Sequence, residues 1–205
     1  MAAAGAGHQR GSLRVLRPPD RGTSVLARKT PRRLLRTFCS DGLVPWAEMS
    51  ADPAVMEFIG GPISREVSDA IAASAQASFL ASGGGTFAVE RRLDGRLLGM
   101  CGLSYEVWYR QALEVGLRLR PDCWGQGYAT EAGQAWLGYA FVRLRADRVI
   151  SIADVPNIRS RAVMQRLAMR FDHAATLNAD GDTAEAAIHV ICRDEWASHP
   201  RQQEA

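Results

Sequence analysis

Lysine is nearly absent from this chain of 205 residues: Lys29 is the only one, and arginine supplies the rest of the 25 basic residues. The absence excludes a nucleotide-binding P-loop, whose GxxxxGK[ST] sequence requires a lysine. Arginine suits bidentate contacts to phosphate or carboxylate, although a bias in composition explains the same count. With 22 acidic residues the formal charge is only +3. That charge is too small to predict a nucleic-acid partner, and we expect none.

Cysteine is also scarce. The four cysteines form no CxxC pair and have no companion histidine at zinc spacing, so neither a metal site nor a disulfide framework is predicted. No apolar run approaches the roughly 18 residues of a membrane helix, and no signal-type core precedes a cleavage site. We therefore expect no metal, no membrane partner and a cytoplasmic location.

The length fits one domain with tails. Residues 1–29 are rich in Ala, Gly and Arg without a sustained period, which predicts a disordered or loosely packed tail. An organelle transit peptide is the alternative interpretation of that arginine-rich start. The expected domain covers 30–197, and 198–205 form a C-terminal tail.

Hydrophobic periodicity predicts one strand, two or three helices, three strands, a helix, a strand, a helix and two strands. Asp94-Gly95 is a hairpin turn signal, and Ser64 is a candidate helix N-cap. This order indicates an α/β fold in which helices cover both faces of a mixed sheet. The expected strands are 34–38, 86–91, 97–103, 112–119, 148–153, 174–177 and 185–192; the expected helices are 44–49, 53–59, 64–79, 130–144 and 158–167.

The segment 113–132, LEVGLRLRPDCWGQGYATEA, is the most informative part of the chain. An alternating strand runs into a glycine-rich turn and then into an apolar helix. The first amides of a helix have no partner inside the helix and bind phosphate. Gly125 and Gly127 let the main chain approach closely, because no side chain intervenes. The segment therefore predicts a pyrophosphate site.

Two cofactor classes compete for this site. Gly125 and Gly127 follow a strand and Asp154 ends the next one, as in a dinucleotide-binding fingerprint, which would make the protein an NAD(P)-dependent oxidoreductase. Against that interpretation, Thr130 occupies the third glycine position. In addition, hairpins replace the repeated βαβ units.

Four segments together resemble the GNAT N-acetyltransferase superfamily, in the branch that includes the ribosomal-protein N-terminal acetyltransferases. The resemblance spans about residues 30–197. It implies a mostly antiparallel mixed sheet with a splayed central strand pair, and direct acetyl transfer from acetyl-CoA to a primary amine of a protein N-terminus or a small molecule. The segments are WGQGYATEA at 124–132, TPRRLLRTF at 30–38, ADPAVMEFIGGPISRE at 51–66 and NIRSRAVMQRLAMRF at 157–171.

The resemblance also implies roles for individual residues in coenzyme binding. The main chain of Leu117 and Leu119 would pair with pantetheine. Asn157 would contact the coenzyme and Ser160 would lie close to it, although Asn157 equally fits a helix N-cap. The pyrophosphate would be held by the backbone amides of Gln126, Gly127, Tyr128, Ala129 and Thr130.

A catalytic residue is expected on the central strand. Transfer needs a neutral amine, so a general base is useful, and the resemblance points to Glu114. The structural alternative is a carboxylate paired with an arginine. The acceptor should lie near Ile59–Pro62 and residues 104–110, with Trp108 and Tyr109. Glu106 is the only acid there, which disfavours a polycationic acceptor.

Two departures from the family pattern leave a second function open. Met164 stands where many members carry the tyrosine that protonates the leaving thiolate, so Ser160, Tyr105 or Tyr109 would have to substitute. Ala168 replaces a glycine after the helix. A non-catalytic acyl-CoA sensor is therefore an alternative. The sequence is also compatible with a homodimer.

Three other residue types are expected to be structural. Cys123 near the helix start is interpreted as a small buried residue and not as a nucleophile. The tryptophans, Trp124 included, are interpreted mainly as core. His189 lies on an apolar strand and is expected in the core or at its rim.

Overall fold

A computed structural model describes residues 26–82, 85–106, 112–179 and 182–199. Six α-helices occur in this part of the chain: α1 Leu43–Ser50, α2 Pro53–Met56, α3 Arg65–Ser82, α4 Tyr128–Val142, α5 Ile158–Arg166 and α6 Arg193–Ala197. It also contains eight strands: β1 Leu26–Lys29, β2 Arg33–Arg36, β3 Gly85–Arg91, β4 Leu97–Glu106, β5 Ala112–Leu119, β6 Arg148–Asp154, β7 Arg170–Ala179 and β8 Asp182–Cys192.

The strands form one sheet in the order β1-β2-β3-β4-β5-β6-β8-β7. Every neighbouring pair is antiparallel except β5 and β6. The mixed, mostly antiparallel sheet confirms the predicted fold class. Repeated parallel βαβ units, which a dinucleotide-binding domain requires, are not present among the described strands.

The single parallel pair is also the weakest junction of the sheet. β4 and β5 pair continuously from Gly99 and Leu119 to Glu106 and Ala112. β5 and β6, by contrast, are in register only at Glu114 and Ile150. Beyond that point the two strands diverge, which confirms the splayed central pair. The divergence exposes one edge of β5 in the middle of the sheet.

Two apolar layers hold the helices on opposite faces. On one face α4 packs against β4, β5 and β6, with Trp136 and Leu137 fully buried. On the other face α1 and α3 cover β3 and β4 around Trp46. The indole of Trp46 donates to the Ser68 carbonyl at 2.8 Å, which satisfies its buried N–H. Both faces of the sheet are therefore covered next to the splay.

The structure differs from the sequence prediction at several boundaries. β1 lies in the segment expected to be a tail, and α6 was not predicted. α4 begins at Tyr128 and not at Thr130, because Gly127 adopts a left-handed conformation and ends the turn itself. α2 ends at Met56 and not at Ile59. The backbone amides of Ile59 and Gly61 both donate to the Met56 carbonyl, which closes a turn after the helix.

Ala168 has a positive φ of 60° directly after α5. The amide of Met169 donates to the Met164 carbonyl and that of Ala168 to the Gln165 carbonyl, both at 3.0 Å, which is the Schellman pattern of a helix end. Glycine is the usual residue at this position, because a Cβ is strained in the left-handed region. The sequence analysis identified Ala168 as a departure from the family's glycine, and the structure shows that the position has a positive φ.

Replacing Ala168 with glycine should stabilise the fold by about 1 kcal/mol, because the left-handed strain is removed. The measurement is the free energy of unfolding in urea. Ala70→Gly on the exposed face of α3 is the matched control and should destabilise by about 0.5–1 kcal/mol. Equal losses in the two variants would show that Ala168 is not strained.

Candidate active site

A cleft of about 680 Å³ opens where β5 and β6 diverge, between the N-terminal ends of α4 and α5 and the α2 region. It brings together all of the predicted coenzyme residues except Gln126. The members of this set that line it are Leu117, Leu119, Gly127, Tyr128, Ala129, Thr130, Asn157 and Ser160. Residues separated by more than forty positions in sequence therefore share one surface.

The glycine turn forms part of the wall of the cleft. Gly125 and Gly127 have φ of 73° and 75°, a region that other residues rarely adopt. A Cβ built on Gly125 would meet no atom within 4 Å, so the main chain there faces open space. The first helical hydrogen bond of α4 runs from Glu131 N to Gly127 O. The amides of residues 128–130 precede it and remain for an anion.

Gln126 has a different position from its predicted neighbours. Its Nε2 donates to the Asp122 carbonyl at 2.8 Å, and its own carbonyl accepts from Arg32 at 3.2 Å. These contacts fix the turn from outside the cleft. The side chain of Gln126 therefore supports the loop, and its predicted coenzyme contact rests on its backbone amide.

Two side chains satisfy carbonyls on the exposed edge of β5. The Ser151 hydroxyl donates to the Val115 carbonyl at 2.9 Å, and Trp124 Nε1 donates to the Leu119 carbonyl at 2.8 Å. Because backbone groups alternate along a strand, Leu117 faces the same gap between them. The Leu119 carbonyl is thus already paired. This leaves Leu117 and the Leu119 amide as the backbone groups for a ligand.

Trp124 belongs to the site as well as to the core. Its side chain is half-buried, and it lines the cleft. The guanidinium of Arg159 stacks 4.4 Å from its ring and also pairs with Glu57 at 3.1 Å. These contacts link the start of α5 to the loop after α2. The sequence interpretation of this tryptophan as core was therefore incomplete.

An ion pair ties the start of α4 to β2. Arg33 is fully buried, and its guanidinium lies 2.9 Å from Glu131 and 4.0 Å from the Tyr128 ring. Burial lowers the pKa of Arg33 to about 10, although the charge of Glu131 opposes the shift. A carboxylate in the first turn of α4 also complements the helix dipole. The ion pair therefore holds the start of α4, and with it the glycine turn, against β2.

Glu131 accepts further hydrogen bonds. The Thr30 hydroxyl donates to it at 2.5 Å and Arg32 Nε at 2.8 Å. Burial alone would raise the pKa of Glu131, but these bonds and the charge of Arg33 lower it below its usual value. Sequence reasoning assigned no role to these residues, although TPRR and ATEA lie in segments that carried the family resemblance.

Asn157 caps α5. Its Oδ1 accepts from the Ser160 amide at 3.0 Å, so the N-cap role is observed. The amide nitrogen of the side chain is not used by the cap, and Asn157 lines the cleft. Capping and a ligand contact are therefore compatible.

Glu114 lies at the one register position that joins β5 and β6, and it pairs with Ser104 on β4. It is half-buried and does not belong to the lining of the cleft. Along β5 it shares a strand face with Gly116 and Arg118, since side chains alternate. A Cβ on Gly116 would meet no atom within 4 Å, which leaves space beside Glu114 on that face.

The remaining candidates divide between core and surface. Met164 is buried, so its thioether packs in the core, whereas Ser160 lines the cleft. Tyr105 on β4 is exposed.

Burial and the Asp122 carboxylate raise the pKa of the Cys123 thiol, which opposes nucleophilic reactivity. Burial lowers the pKa of His189, which lies in the core as predicted.

Some predicted elements lie outside the described residues. Trp108 and Tyr109 are in the segment 107–111, and most of the expected tails fall at 1–25 and 200–205. Within the described ranges, no cluster of three or more His, Cys, Asp or Glu has metal-binding geometry. None of the helices in those ranges has the length and apolar character to span a membrane.

The splayed sheet and the glycine turn define a class of acyl-coenzyme A-binding α/β folds. Residues 32–170 match the family described as "Acetyltransferase (GNAT) domain". The match covers more than half of the chain, so the protein belongs to the GNAT family.

Several curated proteins are similar in sequence to part of this chain. FsC-acetyl coenzyme A-N(2)-transacetylase of Aspergillus fumigatus is 36% identical over 89 residues, which cover 40% of this chain and 37% of that protein. The curated relatives are matched over 37% to 60% of their own lengths.

Solved structures share the fold over most of the chain. The crystal structure of a GNAT-family acetyltransferase from Bacillus anthracis has a TM-score of 0.72 and 23% identity, covering 82% of this chain and 98% of that one. Spermidine N-acetyltransferase from Vibrio cholerae, in complex with CoA and spermine, has a TM-score of 0.67 and 14% identity, covering 82% and 100%.

Replacing Arg33 with methionine should destabilise the fold by about 3 kcal/mol, because Glu131 would keep a partly buried charge without its buried partner. The double variant Arg33→Met/Glu131→Leu should recover part of that loss. Urea unfolding of the two single variants and the double variant measures the coupling. Additive losses would contradict an energetic pair.

The same pair predicts a pH dependence. Because the folded protein lowers the pKa of Glu131 below its ordinary 4.5, the carboxylate stabilises the fold above that pH. The contribution is lost as the pH falls through the lower folded pKa. The difference in unfolding free energy between the wild type and Glu131→Gln should therefore shrink in acid. A difference that grows in acid would contradict the assignment.

Proposed function

We propose that this protein is an acetyl-CoA-dependent N-acetyltransferase that transfers the acetyl group directly to a primary amine. The observation that carries the proposal is the cleft itself: a glycine turn at a helix start and an unpaired strand edge lie on one continuous surface. Family membership supports the same activity. The acceptor class includes protein N-termini and small amines.

The residues present fit acetyl-CoA. The amides of Tyr128, Ala129 and Thr130 at the positive end of α4 match a pyrophosphate. The backbone of Leu117, between two satisfied carbonyls, matches the amide groups of pantetheine. Bound acetyl-CoA would supply the thioester carbonyl that an amine attacks.

The chain's own groups would then assist the transfer. Glu114 would accept a proton from the ammonium form of the acceptor, because only the neutral amine has a free lone pair. The Leu117 amide would donate to the thioester oxygen as negative charge develops there. The new C–N bond forms as the C–S bond breaks, and the nitrogen then loses its second proton, which balances the proton taken up by the departing thiolate. Ser160 is a candidate proton donor to the thiolate, since the buried Met164 has no proton to donate.

Titration with acetyl-CoA in a calorimeter tests the coenzyme site. Gly125→Asp should weaken binding by at least about 100-fold, since it places a negative charge beside the pyrophosphate while tolerating the positive φ. Gly95→Asp is the matched control, because Gly95 has a similar φ of 70° in the β3–β4 turn. It should bind normally.

The outcomes separate the three functions. NADH should not bind; saturable binding of NADH without acetyl-CoA binding would restore the oxidoreductase alternative. Binding of acetyl-CoA without thiol release in the presence of primary amines would favour the sensor. Acetyl-CoA binding with amine-dependent thiol release supports the proposal.

Replacing Glu114 with glutamine should lower kcat/KM by about 100-fold near neutral pH, because the acceptor loses its base. The loss should diminish as the pH approaches the pKa of the amine, where the amine is neutral unaided. The pH profile of thiol release measures this, with Glu185→Gln on β8 as the control. Full activity of Glu114→Gln at every pH would remove Glu114 from the mechanism.

A further inference from the structure

Arg118 on β5 places a positive charge in the cleft, on the side of α2. It lines the cleft together with Val55, Phe58 and Ile59. Its guanidinium lies 5.8 Å from the Trp46 ring, and Nη1 lies 3.1 Å from the Met56 sulfur. Arg118 therefore points to the face opposite α4, where the acceptor is expected.

Among the side chains that the structure describes, no acid compensates the charge of Arg118. The Nε of Arg118 is buried without a hydrogen-bond partner, and the Met56 thioether is only a weak acceptor for Nη1. Among the residues whose side chains the structure describes, no carboxylate pairs with it. Burial lowers the pKa of Arg118. A half-buried cation without a partner is costly, and a bound anion would offset that cost.

The surroundings of Arg118 indicate where such an anion would lie. Glu114 and Arg118 lie on the same strand face, roughly 13 Å apart along β5 at the usual rise per residue. Gly116, between them, faces open space. An acceptor with its amine toward Glu114 would therefore extend along this face toward the guanidinium.

We propose that Arg118 binds a carboxylate of the acceptor, so that the substrate is an amine that also carries a carboxylate group. The inference rests on the proposed function. Arginine forms bidentate hydrogen bonds with carboxylates, whereas a polyamine would meet a like charge at this position. The carboxylate belongs either to a free amino acid or to an acidic side chain near a peptide N-terminus.

Matched acceptor pairs test the proposal and distinguish the two sources. The first pair is alanine and alaninamide. The second pair is the C-terminal amides of the dipeptides Ala-Glu and Ala-Gln, which present the same α-amine. Wild type should acetylate at least one carboxylate-bearing member with a kcat/KM about 10- to 100-fold above its neutral partner. Rates are compared at equal concentrations of neutral amine.

Arg118→Met should abolish this preference by slowing only the carboxylate-bearing acceptor, and Arg118→Lys should restore part of it. Methionine keeps the apolar contacts and removes a desolvated charge, so the melting temperature should not fall. Acetyl-CoA affinity should stay unchanged. Arg170→Met, on β7 at the far edge of the sheet, is the matched control and should keep the preference.

Three results would overturn the proposal: a wild type that prefers the neutral member in both pairs, a preference that survives Arg118→Met, or a large loss of acetyl-CoA affinity in that variant. Binding of the same four compounds to CoA-saturated protein is measured by calorimetry as well. This keeps the test independent of turnover. A protein that binds the carboxylate through Arg118 but releases no thiol would contradict the proposed function alone.

Discussion

The divergence of β5 from β6 is the constraint on which the site depends. A strand edge in the middle of a sheet leaves N–H and C=O groups without partners, and burying such groups is unfavourable. Here the Ser151 hydroxyl and the Trp124 indole each satisfy one carbonyl, at Val115 and Leu119. Two side chains thereby hold the gap open. Only the short stretch around Leu117 remains for an extended ligand with amide groups.

The glycine turn receives support from residues that are distant in sequence. Two left-handed residues within three positions make a flexible loop in isolation, because glycine has the largest backbone freedom to lose. Arg33 and Glu131, which are 98 positions apart, tie the turn's helix to β2. Arg32, directly before β2, donates a hydrogen bond to the Gln126 carbonyl. The turn is thus positioned before any ligand arrives, which lowers the entropic cost of binding.

Local signals account for what the sequence predicted. Alternation along β5, the turn at Asp94-Gly95 and the glycines before α4 are all short-range features, so the strands, the hairpin and the glycine turn at the start of α4 followed from them. The contacts of Arg33, Trp124 and Arg118 depend on the register of strands that are distant in sequence. No local pattern encodes those contacts. β1 escaped prediction for a related reason, since four residues show no period.

Opposite charges on one face of β5 would give an acceptor of the proposed kind a direction. Glu114 attracts an ammonium group, and Arg118 repels one, so an amine would enter with its positive end toward Glu114. Gly116 keeps the space between the two charges open. An arginine at this position would therefore disfavour polycationic acceptors.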